Sequence, residues 1–113
     1  MDNIRIGVGC DIVEIERIRK ANRSQLLKIF YEDEIIKSST ESIAGLLAAK
    51  ESCRKVFNGL RWHDIKISKN KKGRPILNIS KKNYSGKILS SDLSISHDGL
   101  YAIATVVFIL KGE

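Results

Sequence analysis

Apolar residues alternate with small or polar ones at the start of the chain. Ile4, Ile6, Val8, Cys10 and Ile12 share one face of a strand expected over residues 4–13, and Arg5, Gly7, Gly9 and Asp11 share the other. The second face is almost bare of side chains until Asp11, and bare backbone lets another group approach closely. In the blandest reading the two glycines serve strand packing or a bulge. A dinucleotide-binding reading lacks the third glycine of the G-x-G-x-x-G pattern. The period then changes to that of a helix. Residues 14–23 read as a short helix whose outer side carries Glu16, Arg17, Arg19, Lys20 and Arg23, and a second short helical stretch is expected around residues 25–36. The main helix is predicted to begin near Ser38, where Ser38 and Glu41 fit a capping box. It should run to about Phe57 and stop at Asn58-Gly59. Ile43, Leu46, Leu47, Cys53 and Phe57 form one apolar arc of this helix, with Ala44, Ala48, Glu51 and Lys55 on its flank. Lys50 projects into the apolar arc, so it must snorkel, pair or reach a ligand.

Two hairpins should follow. Residues 64–68 and 75–80 flank a basic loop at 69–74, and residues 93–97 and 100–110 flank Asp98-Gly99, a tight-turn signal. Residues 81–87 read as a polar connection. This order predicts an α+β fold in one domain, residues 1–113, with the long helix packed on an antiparallel sheet.

Composition narrows the class. An apolar content of 42% with 29% charged residues is that of a globular chain. No apolar run approaches the ~20 residues of a membrane span, and Asp2 and Arg5 interrupt any signal-peptide pattern; a cytoplasmic protein is expected. Cys10 and Cys53 have no zinc-binding spacing and read as small buried residues. The formal net charge of +7 calls for an acidic partner, which charge alone does not identify. Nucleic acid is disfavoured, because aromatic residues make up only 6% of the chain and the basic loop at 69–74 carries none to stack on bases.

Asp11 and Glu51 are the residues most suited to chemistry. Two carboxylates with Lys55, one turn beyond Glu51, can hold Mg²⁺ and neutralise a phosphate. The competing reading of Glu51 and Lys55 is a surface ion pair worth ~0.3–0.5 kcal/mol. Ser96 and His97 are adjacent on a strand and point to opposite faces, so they cannot act as nucleophile and base. His97 can contact a phosphate or serve as a hydrogen-bonded turn histidine. His63 beside Trp62 reads as structural.

Four segments together resemble one family. Gly7-Val8-Gly9-Cys10-Asp11-Ile12-Val13-Glu14-Ile15-Glu16-Arg17-Ile18 is similar to the N-terminal motif of holo-[acyl-carrier-protein] synthases. Ala48-Ala49-Lys50-Glu51-Ser52-Cys53-Arg54-Lys55 resembles the K-E-x-x-x-K signature of phosphopantetheinyl transferases. Asp64-Ile65 with Gly73-Arg74-Pro75 resembles the family's central hairpin, and Leu93-Ser94-Ile95-Ser96-His97-Asp98 its C-terminal motif. The resemblance implies the 4′-phosphopantetheinyl transferase fold and a Mg²⁺-dependent transfer of phosphopantetheine from coenzyme A to a serine of an apo acyl carrier protein. By the same resemblance Asp11 and Glu51 would be the metal ligands, and Lys55 would join them in catalysis. Lys50, Lys55, Ser96 and His97 would bind the cofactor. Arg17 would dock the acidic carrier protein, with Arg19, Lys20 and Arg23 extending that surface by charge and proximity. A homotrimer with active sites between subunits is also implied.

The chain departs from the family in two places. Leu46 and Leu47 stand where many relatives have an arginine and an aromatic residue, so a cofactor contact by that arginine is lost or supplied elsewhere. The glycine-rich loop after the helix is shortened to Asn58-Gly59-Leu60-Arg61. That shortening is the one support for a non-catalytic relative that binds carrier protein. A small basic nucleic-acid-binding module is the other alternative.

Overall fold

The alternating first segment forms an eleven-residue strand, β1 (Ile4–Glu14). In the computed structural model, which describes residues 3–80 and 84–112, three short helices follow: α1 (Ile15–Lys20), α2 (Arg23–Leu27) and α3 (Glu32–Ile35). The expected short helical stretch around 25–36 is thus split, with Asn22 capping α2 through its side chain and the Gln25 amide. The long helix α4 (Thr40–Val56) starts one residue later than its capping pattern predicts. Ser39 is the N-cap and accepts from the Ser42 amide at 3.1 Å, while the Ser38 hydroxyl donates back to Glu34 O. A 3₁₀ turn (Trp62–Asp64) leads to the hairpin β2 (Ile65–Lys69) and β3 (Pro75–Ile79), and the chain ends in β4 (Lys87–Asp98) and β5 (Tyr101–Lys111). The expected connection at 81–87 lies partly outside the described residues; Lys87 already belongs to β4, six residues earlier than the predicted start at Leu93.

Strands β1, β5 and β4 form an antiparallel sheet in that order, and β2 and β3 form a separate two-stranded sheet. Helix α4 packs on one face of the larger sheet, against Val13, Ala102, Ala104, Val106, Phe108 and Leu110, all buried. Phe57 at the helix end meets Phe108 edge to face, with ring centroids 4.8 Å apart. Residues 43–50 of α4 are buried without a break. The helix is therefore covered all round along this stretch, by the sheet on one side and by α1 and β2 on others, with Glu34 of α3 reaching Lys50.

The face of β1 turned to α4 is the glycine face. A Cβ on Gly9 would lie 2.1 Å from Ser52 O and 2.9 Å from Ser52 C. Only hydrogen fits there, so the packing role of the glycines is the correct one, and the group that approaches the bare backbone is the helix. The Ser52 hydroxyl completes the seam, 2.7 Å from Ala48 O and 3.2 Å from Ala104 O.

The opposite face of the sheet carries the apolar alternation and is open. Ile6 is 65% exposed, Val8 59% and Ile12 59%. Their cross-strand partners on β5 are Ile109, Val107 and Ile103, so the apolar stripe runs across two strands. Cys10 lies in the same stripe and is exposed, contrary to the expectation that both cysteines are buried; Cys53 is buried as expected.

A Gly9→Ala substitution should cost at least as much as ordinary core overpacking, ~1–3 kcal/mol. The expected result in urea unfolding is a lower midpoint with an unchanged slope. A loss below roughly 0.5 kcal/mol, the range of ordinary surface changes, would show that strand and helix do not bear on each other at this point.

Candidate active site

Gly9 and Ser52 lie in the seam, and the residues beside them carry the chemistry. Two positions beyond Gly9 on the same face of β1 is Asp11, and one position before Ser52 on α4 is Glu51. The close approach of strand and helix therefore brings the two carboxylates together. Lys55, one turn further along α4, donates to Cys10 O at 2.7 Å and to Asp11 Oδ1 at 3.0 Å. Glu51 faces Arg17 of α1, with Nη2 3.5 Å from Oε1. The alternative of an ion pair between Glu51 and Lys55 along the helix is not what forms: each residue takes its partner from another element.

The electrostatics follow from this geometry. Burial pushes Glu51 up, the Asp11 carboxylate beside it pushes further, and Arg17 offsets only part, leaving Glu51 at about 7. Burial also opposes ionisation of Asp11, but its hydrogen bonds to Glu51 and Lys55 outweigh that and hold it below the usual aspartate value. Asp11 Oδ2 is buried and, among the described residues, has no hydrogen-bond partner. Two carboxylates in contact, one with an orphaned oxygen and one raised toward neutrality, make a site short of a cation. Hard oxygen donors of this kind suit Mg²⁺, which takes one or two carboxylates and fills its shell with water and phosphate oxygens.

Lys50 is not available to the cofactor, and that expectation is corrected. Its side chain is wholly buried. The ammonium donates to Glu34 Oε1 at 2.8 Å, Ile65 O at 2.8 Å and Ile29 O at 3.0 Å, which uses its three protons. Glu34 is equally committed: Oε1 also accepts from the Tyr31 amide at 2.7 Å and Oε2 from the Ile67 amide at 2.8 Å. Burial lowers the Lys50 pKa, and Glu34 restores it only in part. Of the three fates open to this lysine, pairing is the one realised. Glu34 was invisible as its partner because it lies in a short acidic segment, Glu32-Asp33-Glu34, that reads as solvated surface.

His97 lines a cavity of about 600 Å³ between α3, α4 and the two hairpins, with Lys37, Leu46, Lys66, Lys69 and Arg74 among its walls. Leu46 thus forms cavity wall, while Leu47 belongs to the core. Glu51 and Lys55 line a different cavity, of about 380 Å³, whose wall includes the shortened loop Asn58-Gly59-Leu60. That loop is braced by Arg54, which donates to Leu60 O at 3.0 Å and covers the Trp62 ring at 4.2 Å from its centroid. Ser96 is exposed on β4 and lines neither cavity. His63 is structural as expected: Nε2 lies 3.1 Å from Phe30 O, and its carbonyl accepts from the Tyr31 hydroxyl. On the basic surface, Arg19 pairs with Glu16 at 2.7 Å and Arg23 with Glu32, while Lys20 is exposed.

A long helix laid on a three-stranded antiparallel sheet, with a carboxylate from each brought together and a lysine on the aspartate, is an arrangement with relatives. The model of the 4′-phosphopantetheinyl transferase superfamily matches residues 7–106. A holo-[acyl-carrier-protein] synthase of Thermoanaerobacter sp. (strain X514) is 41% identical, over 90% of this chain and 86% of that protein. The Helicobacter pylori holo-[acyl-carrier-protein] synthase is 39% identical, over 94% of this chain and 99% of its own length. A crystal structure of holo-[acyl-carrier-protein] synthase from Helicobacter pylori, in complex with coenzyme A, matches this fold with a TM-score of 0.77 at 36% identity, covering 89% of this chain and 98% of that one. The chain belongs to the 4′-phosphopantetheinyl transferase superfamily, and within it to the family of holo-[acyl-carrier-protein] synthases. It is an enzyme of the phosphopantetheinyl transferase class. No helix among the described residues is long and apolar enough to cross a membrane.

The raised Glu51 sets a pH dependence with a definite sign. The folded state holds this proton more tightly than the unfolded chain, whose value is near 4.5, so the contribution to stability is fully present below that pH and lost as pH rises through about 7. Carboxyl ¹³C NMR of the metal-free protein should give Glu51 a midpoint of about 7. In Asp11→Asn the midpoint should fall but stay above 4.5, because burial is the larger cause. A midpoint indifferent to Asp11→Asn would mean that the two carboxylates do not share a site.

Proposed function

We propose that this chain transfers the 4′-phosphopantetheine group of coenzyme A to a serine of an apo acyl carrier protein in the cytoplasm, with Mg²⁺ held by Asp11 and Glu51. The observation that carries the metal assignment is the buried, unpartnered Oδ2 of Asp11 beside a glutamate driven toward neutrality. In the reaction the serine oxygen bonds to the phosphorus attached to the pantetheine arm, and the bond from that phosphorus to the bridging pyrophosphate oxygen breaks. The phosphopantetheine stays on the serine and adenosine 3′,5′-bisphosphate leaves. When bound, Mg²⁺ supplies positive charge where negative charge grows on the phosphoryl and leaving oxygens.

The chain's own groups do the rest. Asp11 and Glu51 fix the position of the charge. Lys55 adds a second positive charge on the same face of α4 and keeps Asp11 ionised. Both contacts of Lys55 are to acceptors, Cys10 O and Asp11 Oδ1, so it enters as a donor. A carboxylate acting through water is then the base that this site offers for the serine proton. Arg17, Lys20 and their neighbours on α1 and α2 present the positive surface for an acidic carrier, steering its approach in a salt-dependent way.

Two features support a homotrimer with shared sites. The apolar stripe of Ile6, Val8, Ile12, Ile103, Val107 and Ile109 stands on the outer face of β1 and β5, where Ile6, Val8 and Ile12 have little cover among the described residues. In addition, His97 and Glu51 line separate cavities of one chain, with no wall residue in common. A second copy bringing its His97 cavity to the Glu51 cavity of the first would complete a cofactor cleft. The basic residues Lys37, Lys69 and Arg74 of the His97 cavity then provide the positive charge that Leu46 lacks.

Intact-mass spectrometry of an apo acyl carrier protein, incubated with this chain, coenzyme A and Mg²⁺, tests the activity directly. The expected result is a gain of one phosphopantetheine, abolished by EDTA and slowed on the order of a hundredfold or more by Asp11→Ala or Glu51→Ala. Full turnover in EDTA, or in either variant, would overturn the metal assignment. For assembly, mixing Glu51→Ala with His97→Ala protein through a dissociation step should restore part of the activity that each lacks alone. No recovery from co-assembled oligomers would place each site within one subunit.

A further inference from the structure

The basic residues that face solvent at the start of the helical region are not equivalent. Arg19 is bound to Glu16 within its own helix, at 2.7 Å, and Arg23 is bound to Glu32 of α3. Arg17 instead reaches out of α1 to Glu51, one of the two carboxylates assigned to the metal, at 3.5 Å. Its side chain is 55% exposed and that of Glu51 26%, so the guanidinium sits on the solvent side of the carboxylate. With Lys55 on Asp11, each of the two carboxylates has a cationic side chain beside it.

From this geometry we propose that Arg17 is a displaceable stand-in for the cation at Glu51, and that an acidic carrier protein draws it away, so that carrier docking and metal binding assist each other. The proposal rests on the reading of Asp11 and Glu51 as metal ligands. A divalent cation placed between the carboxylates finds two positive side chains already there, and one must give way. Lys55 is the better anchored, holding Cys10 O at 2.7 Å as well as Asp11. Arg17 has the single long contact to Glu51, and among the described residues no second partner holds it. An exposed arginine on a basic helix face is also the group that an acidic surface can take hold of. Whatever binds Arg17 away from Glu51 raises the affinity of Glu51 for a cation. By linkage, a cation on Glu51 releases Arg17 for the acidic surface by the same factor.

The factor is bounded by the worth of an exposed ion pair, which corresponds to about twofold to fivefold in affinity. Mn²⁺ binding, read from the electron paramagnetic resonance of the free ion, measures it without reference to turnover. Arg17→Gln should bind Mn²⁺ about twofold to fivefold more tightly than the wild type, while Arg19→Gln, which loses a charge of the same sign two residues away, should bind it like the wild type. A saturating apo acyl carrier protein should tighten Mn²⁺ binding to the wild-type chain by a similar factor and have little effect on Arg17→Gln. Equal or weaker Mn²⁺ binding by Arg17→Gln would overturn the proposal, as would a carrier effect of the same size in both proteins, or an Arg19→Gln effect as large as that of Arg17→Gln. Glu51→Ala with unchanged Mn²⁺ affinity would overturn the metal reading itself, and this proposal with it.

Discussion

The contact on which the site depends contains no charged atom. Strand β1 and helix α4 meet backbone to backbone at Gly9 and Ser52, closer than any side chain allows. Every group with a chemical role is placed by that contact. Asp11 follows Gly9 on the same face, Glu51 precedes Ser52, and the reach of Lys55 to Cys10 O ties strand to helix just beyond. Burying a carboxylate and setting a second one beside it are both unfavourable, and the raised Glu51 records the cost. The neighbouring cations offset part of it. What remains is an affinity for positive charge stored in the fold.

The larger sheet is a boundary between two different environments. On one side its small residues, Gly7, Gly9, Ala102 and Ala104, admit a helix. On the other its branched residues, Ile6, Val8, Ile12 and Ile103, stand in the open. Antiparallel sheets that face water on one side normally alternate apolar with polar residues. Here, Val13 apart, the apolar members of β1 are the outward ones, and two of the inward positions are glycines with no side chain. The usual inside-outside logic is inverted along this strand.

Much of this was legible in the chain. The period-two alternation located β1, the long amphipathic run located α4, and Asp98-Gly99 located the last hairpin. The pairing of Asp11 with Glu51 followed from motif order more than from physics, since forty residues separate them. Three things were hidden for physical reasons. Which face of β1 turns inward is not fixed by alternation when one face is glycine, because the decision rests with the helix that fills the gap. The burial of Lys50 depends on Glu34 and on carbonyls of Ile29 and Ile65, and backbone acceptors leave no trace in a sequence. The partition of His97 and Glu51 between two cavities is a matter of three-dimensional placement, invisible to any spacing rule.

The buried Lys50–Glu34 pair has a consequence for how the helix finds its place. Such pairs add little to stability, since the loss of water around both charges offsets most of their attraction. An apolar helix surrounded on all sides has few reasons to prefer one setting over the next, because one leucine or alanine packs much like another. A slip of α4 by one residue would move Lys50 by ~1.5 Å and turn it through ~100°, leaving its ammonium stranded among carbons. The pair therefore works as an index mark. It makes the wrong settings expensive, and so guarantees that Glu51, the next residue along, arrives opposite Asp11.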